Sequence, residues 1–342
     1  MFIKKITYPE FDHCELCEWR CGVNRNKGDL GVCRIRTPIV ASCQLHPAPP
    51  QSYTIFLAGC NFRCLNCQNF SIAHYPDQPD VLRGWIEPKK LAEEALKQMN
   101  SPFGRLINAD YIFFSGGAPT PSLPYVIEII KEARKLQPKV KVNYDTNGYM
   151  TIESLEKIAN LTTTFTYDIK AFYPETFSAL TGAKIEPVLR NAEILISRWK
   201  EKIWEFRILA IPEIVEKDEI KALSKFIAKL DFTVPVSFLT FRPNFILDDH
   251  MGAMTEFMKD MVETARNAGL SNVTWAGHAG ISGKIIKINN EDENLKNLRI
   301  ENAKIASAYA ITHGCKTIPR NCKKCFYTHN CQIKKYHPKR IT

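Results

Sequence analysis

The chain has 342 residues, 45% hydrophobic and 24% charged, which excludes a disordered chain and suits about two domains or one large one with extensions. Its formal net charge of +10 gathers at the end, where Lys316, Arg320, Lys323, Lys324, Lys334, Lys335, Lys339 and Arg340 lie in a segment without acid, either a solvated face or a dock for nucleic acid or an acidic protein face. No apolar run reaches the about 18 residues of a membrane span, and MFIKKITYPEFDH has lysines but no apolar stretch after them, so no membrane partner and a cytoplasmic location are expected.

Residues 1–50 read as an irregular, cysteine-rich segment carrying Cys14, Cys17, Cys21, Cys33 and a solitary Cys43, and ending in HPAPPQ. Alternation then begins. YTIFLA (53–58) reads as a buried strand, followed by a helix over PKKLAEEALKQM (88–99) with Pro88 suited to its first turn. YIFFS (111–115) precedes an amphipathic helix over 123–136, and VKVNYD (140–145) precedes a helix over 152–159. FTYDIK (165–170) is the fourth strand, with helices over PETFSAL and PVLRNAEILISRW after it. IWEFRILAI (203–211), a helix over 217–230, VSFLTF (236–241), a helix across 252–269 and a short strand at 273–277 complete the series.

Repeated strand–helix alternation with near-continuous apolar strands predicts an α/β fold with a buried parallel sheet, here a full or partial (β/α) barrel of the TIM type. The expected domains are the cysteine-rich segment 1–50, a barrel over 51–280, and a helix plus basic cysteine-rich segment over 281–342. On such a barrel the chemistry sits where strands end. GCNFRCLNCQNF follows the first strand, GGAPTP the second and DTNG the third, while DIK ends the fourth and RILAIP closes the fifth, so every motif lands on one rim.

Twelve cysteines are many for a reducing compartment, and their tight grouping points to metal centres in place of disulfides. Cys60, Cys64 and Cys67, at C-x3-C-x2-C, stop one short of a closed cage. Three thiolates can hold three irons of a cubane and leave the fourth iron open to a chelating small molecule; zinc with His74 as fourth ligand is the alternative. Gly59 lets the chain leave its strand sharply, and Asn61 is expected to brace the turn through local hydrogen bonds.

C-x3-C-x2-C after the first barrel strand is the signature of the radical SAM superfamily. CELCEWRCGVNRNKGDLGVC, TIFLAGCNFRCLNCQN and SGGAPTPSLP together resemble its pyruvate formate-lyase-activating-enzyme-like subfamily and are also similar to the radical SAM member of the AmmeMemoRadiSam system. DIKAFYPETFSALTG and EFRILAIPEIVEKDEI look like the matching segments of glycyl-radical-enzyme activases, so the resemblance covers residues 14–245. It implies a [4Fe–4S] cluster with an open iron that binds S-adenosylmethionine (SAM). It further implies reductive cleavage of SAM to a 5′-deoxyadenosyl radical, and hydrogen abstraction from a substrate. No residue is singled out as the hydrogen-transfer group.

The same resemblance assigns SAM contacts. Gly116 and Gly117 match a double glycine whose bare backbone approaches the methionyl amino group, with Ala118 where relatives often have an acid; a tight turn is the plain alternative. Asn143 and Asp145 share a strand face, and Asn147 follows them in a turn that DTNG also explains as a cap. Asp168 and Lys170 share a face near the SAM carboxylate or form an ordinary ion pair, and Arg207, mid-strand, needs a partner. Asn66 stands where relatives have an aromatic near the adenine, and Phe62 or Phe70 is either its substitute or core.

Cys315, Cys322, Cys325 and Cys331 loosely resemble the auxiliary-cluster extensions of peptide-modifying members, so they read as an auxiliary cluster or zinc site. Cys14, Cys17, Cys21 and Cys33 read as cluster or zinc ligands, and Cys43 as a small buried hydrophobe. His46, His278 and His313 fall in no usable geometry. The expected function is a radical SAM enzyme acting on a protein or peptide, either as a glycyl-radical activase or by side-chain modification, with a ferredoxin- or flavodoxin-type reductant. An RNA-modifying enzyme and a non-catalytic Fe–S electron carrier are the alternatives.

Overall fold

The computed structural model describes residues 6–74, 82–247 and 250–277. The described residues fall into two compact units, drawn from Met1–Asn61, Asn69–Tyr167 and Glu201–Trp204 for the first and Phe62–Gln68, Asp168–Lys200 and Glu205–Thr342 for the second.

The first unit carries β1 (Val40–His46), β2 (Ser52–Leu57), α1 (Phe70–Ala73), α2 (Pro88–Met99), α3 (Pro102–Leu106), β3 (Tyr111–Gly116), α4 (Leu123–Leu136), β4 (Lys141–Thr146), α5 (Ile152–Ala159) and most of β5 (Thr164–Ile169). β2, β3, β4 and β5 pair in parallel and in chain order, Tyr53 opposite Ile112, Phe113 opposite Asn143 and Asn143 opposite Thr164. One face is closed by Ile55, Leu57, Ile112, Phe114, Val142, Tyr144, Phe165 and Tyr167, each 0% exposed, and the other by Thr54, Phe113, Asn143 and Thr166, none above 7%. β2 and β3 accordingly read as near-continuous apolar runs, whereas β4 and β5 alternate apolar Val142, Tyr144, Phe165 and Tyr167 with polar Asn143, Asp145, Thr164 and Thr166. α4 buries Leu123, Val126, Ile129, Ile130 and Ala133, the i, i+3, i+4 stripe, each large side chain contributing on the order of 1.5–3 kcal/mol.

β1 runs antiparallel to β2, with Cys43 opposite Ile55 and a register shift between Val40 and Ser42. It overturns the expectation that residues 1–50 are irregular throughout. VASCQLH has few large apolar side chains because the strand is half exposed along its second half, so no periodic signal marks it.

The second unit carries α6 (Pro174–Thr181), α7 (Glu186–Trp199), most of β6 (Ile203–Ala210), α8 (Lys217–Asp231), β7 (Val236–Thr240), α9 (Thr255–Asn267) and β8 (Val273–Ala276). β6, β7 and β8 are parallel, Ile208 opposite Phe238 and Phe238 opposite Trp275. Among the described residues β1 and β8 each pair on one side only, so the α/β expectation stands with a sheet that is not closed there. Among the described residues no helix is long and apolar enough to cross a membrane. The expected segment 281–342 lies outside the described residues.

Candidate functional site

In the first unit the end of β2 runs through Ala58 and Gly59 to Cys60, which is 6% exposed. Gly59 has φ +81°, and a Cβ there would stand 2.7 Å from Ile35 Cγ2 and 2.9 Å from the Cys33 carbonyl oxygen. The end of β3 presses on the same turn: Gly117 N donates to Leu57 O at 2.8 Å and Ala118 N donates to Gly59 O at 3.0 Å. A Cβ on Gly116 would overlap the Leu57 backbone, and one on Gly117 the Gly59 carbonyl. The double glycine is therefore required by backbone-to-backbone approach, which fixes the turn that presents Cys60.

Asn61 braces that turn, accepting locally from Cys60 Sγ at 3.9 Å and reaching three distant partners. Its Nδ2 donates to the Tyr149 carbonyl at 2.9 Å, its Oδ1 accepts from Asn147 Nδ2 at 2.7 Å, and its own carbonyl accepts from Trp19 Nε1 at 2.7 Å. Asn147 Oδ1 accepts from Tyr149 N at 3.1 Å, so Asn147 caps its turn while its amide reaches to 4.0 Å from Cys60 Sγ. Asp145 Oδ2 accepts from Ser115 Oγ at 2.6 Å, which anchors the carboxylate beside Gly116. Asn143 is fully buried, donating to Thr164 Oγ1 at 2.8 Å and accepting from Thr166 Oγ1 at 3.2 Å. Its amide is therefore hydrogen-bonded within the sheet, to β5.

In the second unit Cys64 and Cys67 are half-buried. Their backbone is clamped: Arg63 N donates to Thr181 O at 2.9 Å, Leu65 N to Leu180 O at 3.0 Å, and Leu65 O accepts from Ile246 N at 3.0 Å. Phe62 is 1% exposed and packs edge-on against Phe177, so it is core. Asn66 is 6% exposed and its Oδ1 has no hydrogen-bond partner among the described residues. Lys170 Nζ donates to Asp168 Oδ2 at 2.7 Å, whereas Asp168 Oδ1 is buried without a partner among the described residues. Arg207 Nε donates to Glu205 Oε1 at 2.6 Å, supplying the partner its position demanded.

The N-terminal thiols also gather. Cys14, Cys17, Cys21 and Cys33 are free. Burial, and then charge on Cys33, Cys21 and Cys14, pushes the Cys17 thiol up; the backbone N–H of Trp19 opposes this. Burial also pushes the Cys21 thiol up. The segment is tied to β4's turn by a Cys17–Met150 bridge. Among the described residues no group of three or more Cys, His, Asp or Glu side chains already stands at metal-ligating separations, so the cysteines are assembled thiols and not finished cages. Cys43 is half-buried; burial pushes its thiol up, which Arg83 and Tyr53 oppose, and Arg83 pairs with both oxygens of Glu94 at 2.7 and 2.8 Å. Cys315, Cys322, Cys325, Cys331, the basic tail, His278 and His313 lie outside the described residues.

Residue-by-residue reading missed Trp19, Ser115 and Glu205. Glu205 alone had a signal, its i, i+2 position from Arg207 on a strand; nothing local marks Trp19 or Ser115.

A family model described as the radical SAM superfamily matches residues 54–225. An uncharacterised protein of Methanocaldococcus jannaschii is 27% identical over 248 residues, covering 70% of this chain and 69% of its own. The pyruvate formate-lyase-activating enzyme of Staphylococcus aureus is 24% identical over 192 residues, covering 54% of this chain and 71% of its own. A solved domain of the pyruvate-formate lyase-activating enzyme from Bacteroides vulgatus aligns with TM-score 0.41 and 20% identity, covering 48% of this chain and 98% of that one.

Proposed function

Because the chain belongs to the radical SAM superfamily, we propose that it is an enzyme that uses SAM at a [4Fe–4S] cluster to act on a protein or peptide. The observation that carries this reading is the matched region 54–225 with three cysteines, Cys60, Cys64 and Cys67, none in a disulfide, in the loop that leaves its first strand. The residues present fit the cofactors: three thiols supply soft ligands for iron, and the orphaned buried oxygens Asn66 Oδ1 and Asp168 Oδ1 want donors such as an ammonium or ribose hydroxyls.

When bound, the cluster and SAM supply the one-electron cleavage that yields a 5′-deoxyadenosyl radical able to abstract hydrogen from a substrate. The chain's share is binding and orientation. Cys60, Cys64 and Cys67 hold the cluster as thiolates. The Gly116 and Gly117 backbone and the Asp145 carboxylate receive the methionyl end, with Ser115 fixing Asp145 and Asn143 bracing the two strands behind it. Asn147 steadies Cys60 through Asn61. Asp168, with Lys170 holding one of its oxygens, accepts hydrogen bonds on the other, and Arg207, oriented by Glu205, offers a cation to a carboxylate of SAM or substrate.

A protein substrate is supported by the Staphylococcus aureus relative, whose name makes another enzyme the thing it activates. Whether the change is a glycyl radical or another side-chain modification is then set by the partner. A ferredoxin- or flavodoxin-type donor supplies the electron, in a reducing compartment such as the cytoplasm where thiols persist. The basic, acid-free segment from Lys316 to Arg340 favours one second reading, RNA modification. Its affinity for tRNA would fall steeply with salt.

Anaerobic reconstitution followed by strong reductant and SAM is the test. The wild-type protein is expected to release 5′-deoxyadenosine, and Cys60→Ala is expected not to. A reconstituted wild type that forms none would leave a non-catalytic Fe–S carrier as the reading.

A further inference from the structure

Arg25 is among the most deeply buried side chains of the first unit, 1% exposed, and among the described residues no carboxylate pairs with it. Its Nε donates to the Arg36 carbonyl at 3.2 Å, its Nη1 to the Pro121 carbonyl at 2.7 Å, and its guanidinium carbon stands 3.6 Å from the centroid of the Phe11 ring. All of these are neutral groups. Nη2 is buried with no hydrogen-bond partner among the described residues. The remaining contact is a thiol: Nη1 lies 3.7 Å from Cys14 Sγ. A buried guanidinium cannot shed its proton, so it needs an anion close by.

The anion it lacks is one the neighbouring thiols can make. Cys14, Cys17, Cys21 and Cys33 are free and lie within residues 14–33. Cys14 N donates to Val23 O and Gly22 N to Cys14 O, both at 3.1 Å, which folds the segment of Cys21 back onto Cys14. The Gly31 backbone lies so close to Cys21 that a Cβ there would stand 3.1 Å from its sulfur. Neutral thiols leave Arg25 uncompensated, and four bare thiolates would repel one another. A metal centre resolves both. Four S–H protons leave to solvent as four metal–sulfur bonds form, and a divalent ion with four thiolates carries two net negative charges.

We propose that Cys14, Cys17, Cys21 and Cys33 hold a metal centre as a tetrathiolate, and that Arg25 is its built-in counter-cation. The sulfurs draw inward from their present separations when the metal binds. Zinc and a [4Fe–4S] cubane share this chemistry, and the counting experiment separates them. Arg25 also reaches the Pro121 carbonyl, so the same charge pair steadies the segment that follows Gly116 and Gly117. This centre uses none of Cys60, Cys64 and Cys67 as ligands.

The full-length protein, purified anaerobically, is alkylated with iodoacetamide under native conditions before and after a zinc- and iron-stripping chelator, and the modified cysteines are mapped by mass spectrometry alongside zinc, iron and sulfide counts. The four thiols are expected to be protected together and to become reactive together once the metal leaves, with one zinc, or iron and inorganic sulfide in equal amounts, lost in step. Protection that the chelator does not change, or four thiols that react independently of it, would overturn the proposal. Because Cys60, Cys64 and Cys67 are mapped on separate peptides, failure here leaves the loop cluster unaffected. Arg25→Met is expected to speed metal release to the chelator at least about tenfold, with Arg25→Lys closer to wild type. Equal release rates in all three would remove Arg25 from the role.

Discussion

Asn147 donates its side-chain amide to Asn61 Oδ1 at 2.7 Å, although 86 positions separate the two in the chain. Both residues are buried, at 8% and 0% exposure, and Asn61 follows Cys60 directly. The bond therefore carries the turn after β4 to the first cysteine of the loop. Removing the donor leaves a buried carbonyl oxygen unsatisfied. Asn147→Ala is expected to lower unfolding free energy by about 1–3 kcal/mol in a urea titration. It is also expected to make reconstituted protein lose iron faster on gel filtration. Unchanged stability together with unchanged iron retention would show that the pair does not hold the loop.

The glycines after β3 give a second expectation. Gly116 has φ +122° and no room for a Cβ against Leu57, whereas Gly84 has φ +79° with nothing within 4 Å. Gly84→Ala bears only the left-handed backbone cost of about 1–2 kcal/mol. Gly116→Ala bears that and a backbone overlap, so its loss of stability must be clearly the larger. Equal losses in chemical denaturation would mean that the β2–β3 approach is not tight.

Glu219 makes stability depend on pH. It is 5% exposed, and its Oε2 accepts from Phe172 N at 2.5 Å and Tyr173 N at 3.0 Å, while Oε1 has no partner among the described residues. Burial raises its carboxyl above the ordinary value of 4.5; the side chain of Thr176 and the two backbone N–H groups oppose this, and Glu175 adds to it. The folded state thus keeps the proton at pH values where the unfolded chain has lost it. Stability falls as pH rises from about 4.5 through the folded value, then levels off. Glu219→Gln, which keeps one acceptor for the two N–H groups, is expected to flatten that fall in urea titrations across the acid range. Parallel profiles for the two proteins would contradict it.

What could be read from the residues followed the reach of each signal. α2 and α4 were legible to the residue because Pro88 and Pro124 lie in their first turns and a 3.6-residue apolar stripe runs through each. The C-x3-C-x2-C spacing was legible because its ligands are near neighbours in sequence. α3 was not, since Pro102-Phe-Gly reads as a loop and only the Ser101 cap, accepting from Gly104 N at 3.1 Å, secures it. Strand alternation put Asn143 and Asp145 on one face correctly, but could not show that Thr164 and Thr166 consume the Asn143 amide. The links from Trp19 and Asn147 to Asn61 and from Arg25 to Pro121 join distant segments, and no local pattern encodes them.

The central claim is an iron left open by the tripod of Cys60, Cys64 and Cys67 and filled by SAM. Pulsed electron–nuclear double resonance on the reduced, anaerobically reconstituted protein, with SAM labelled by 15N at its amino group and 17O at its carboxylate, reads that bond itself. Strong couplings from both labels, absent in a Cys60→Ala protein, are the predicted result. A reduced cluster that shows coupling to neither label would contradict the account.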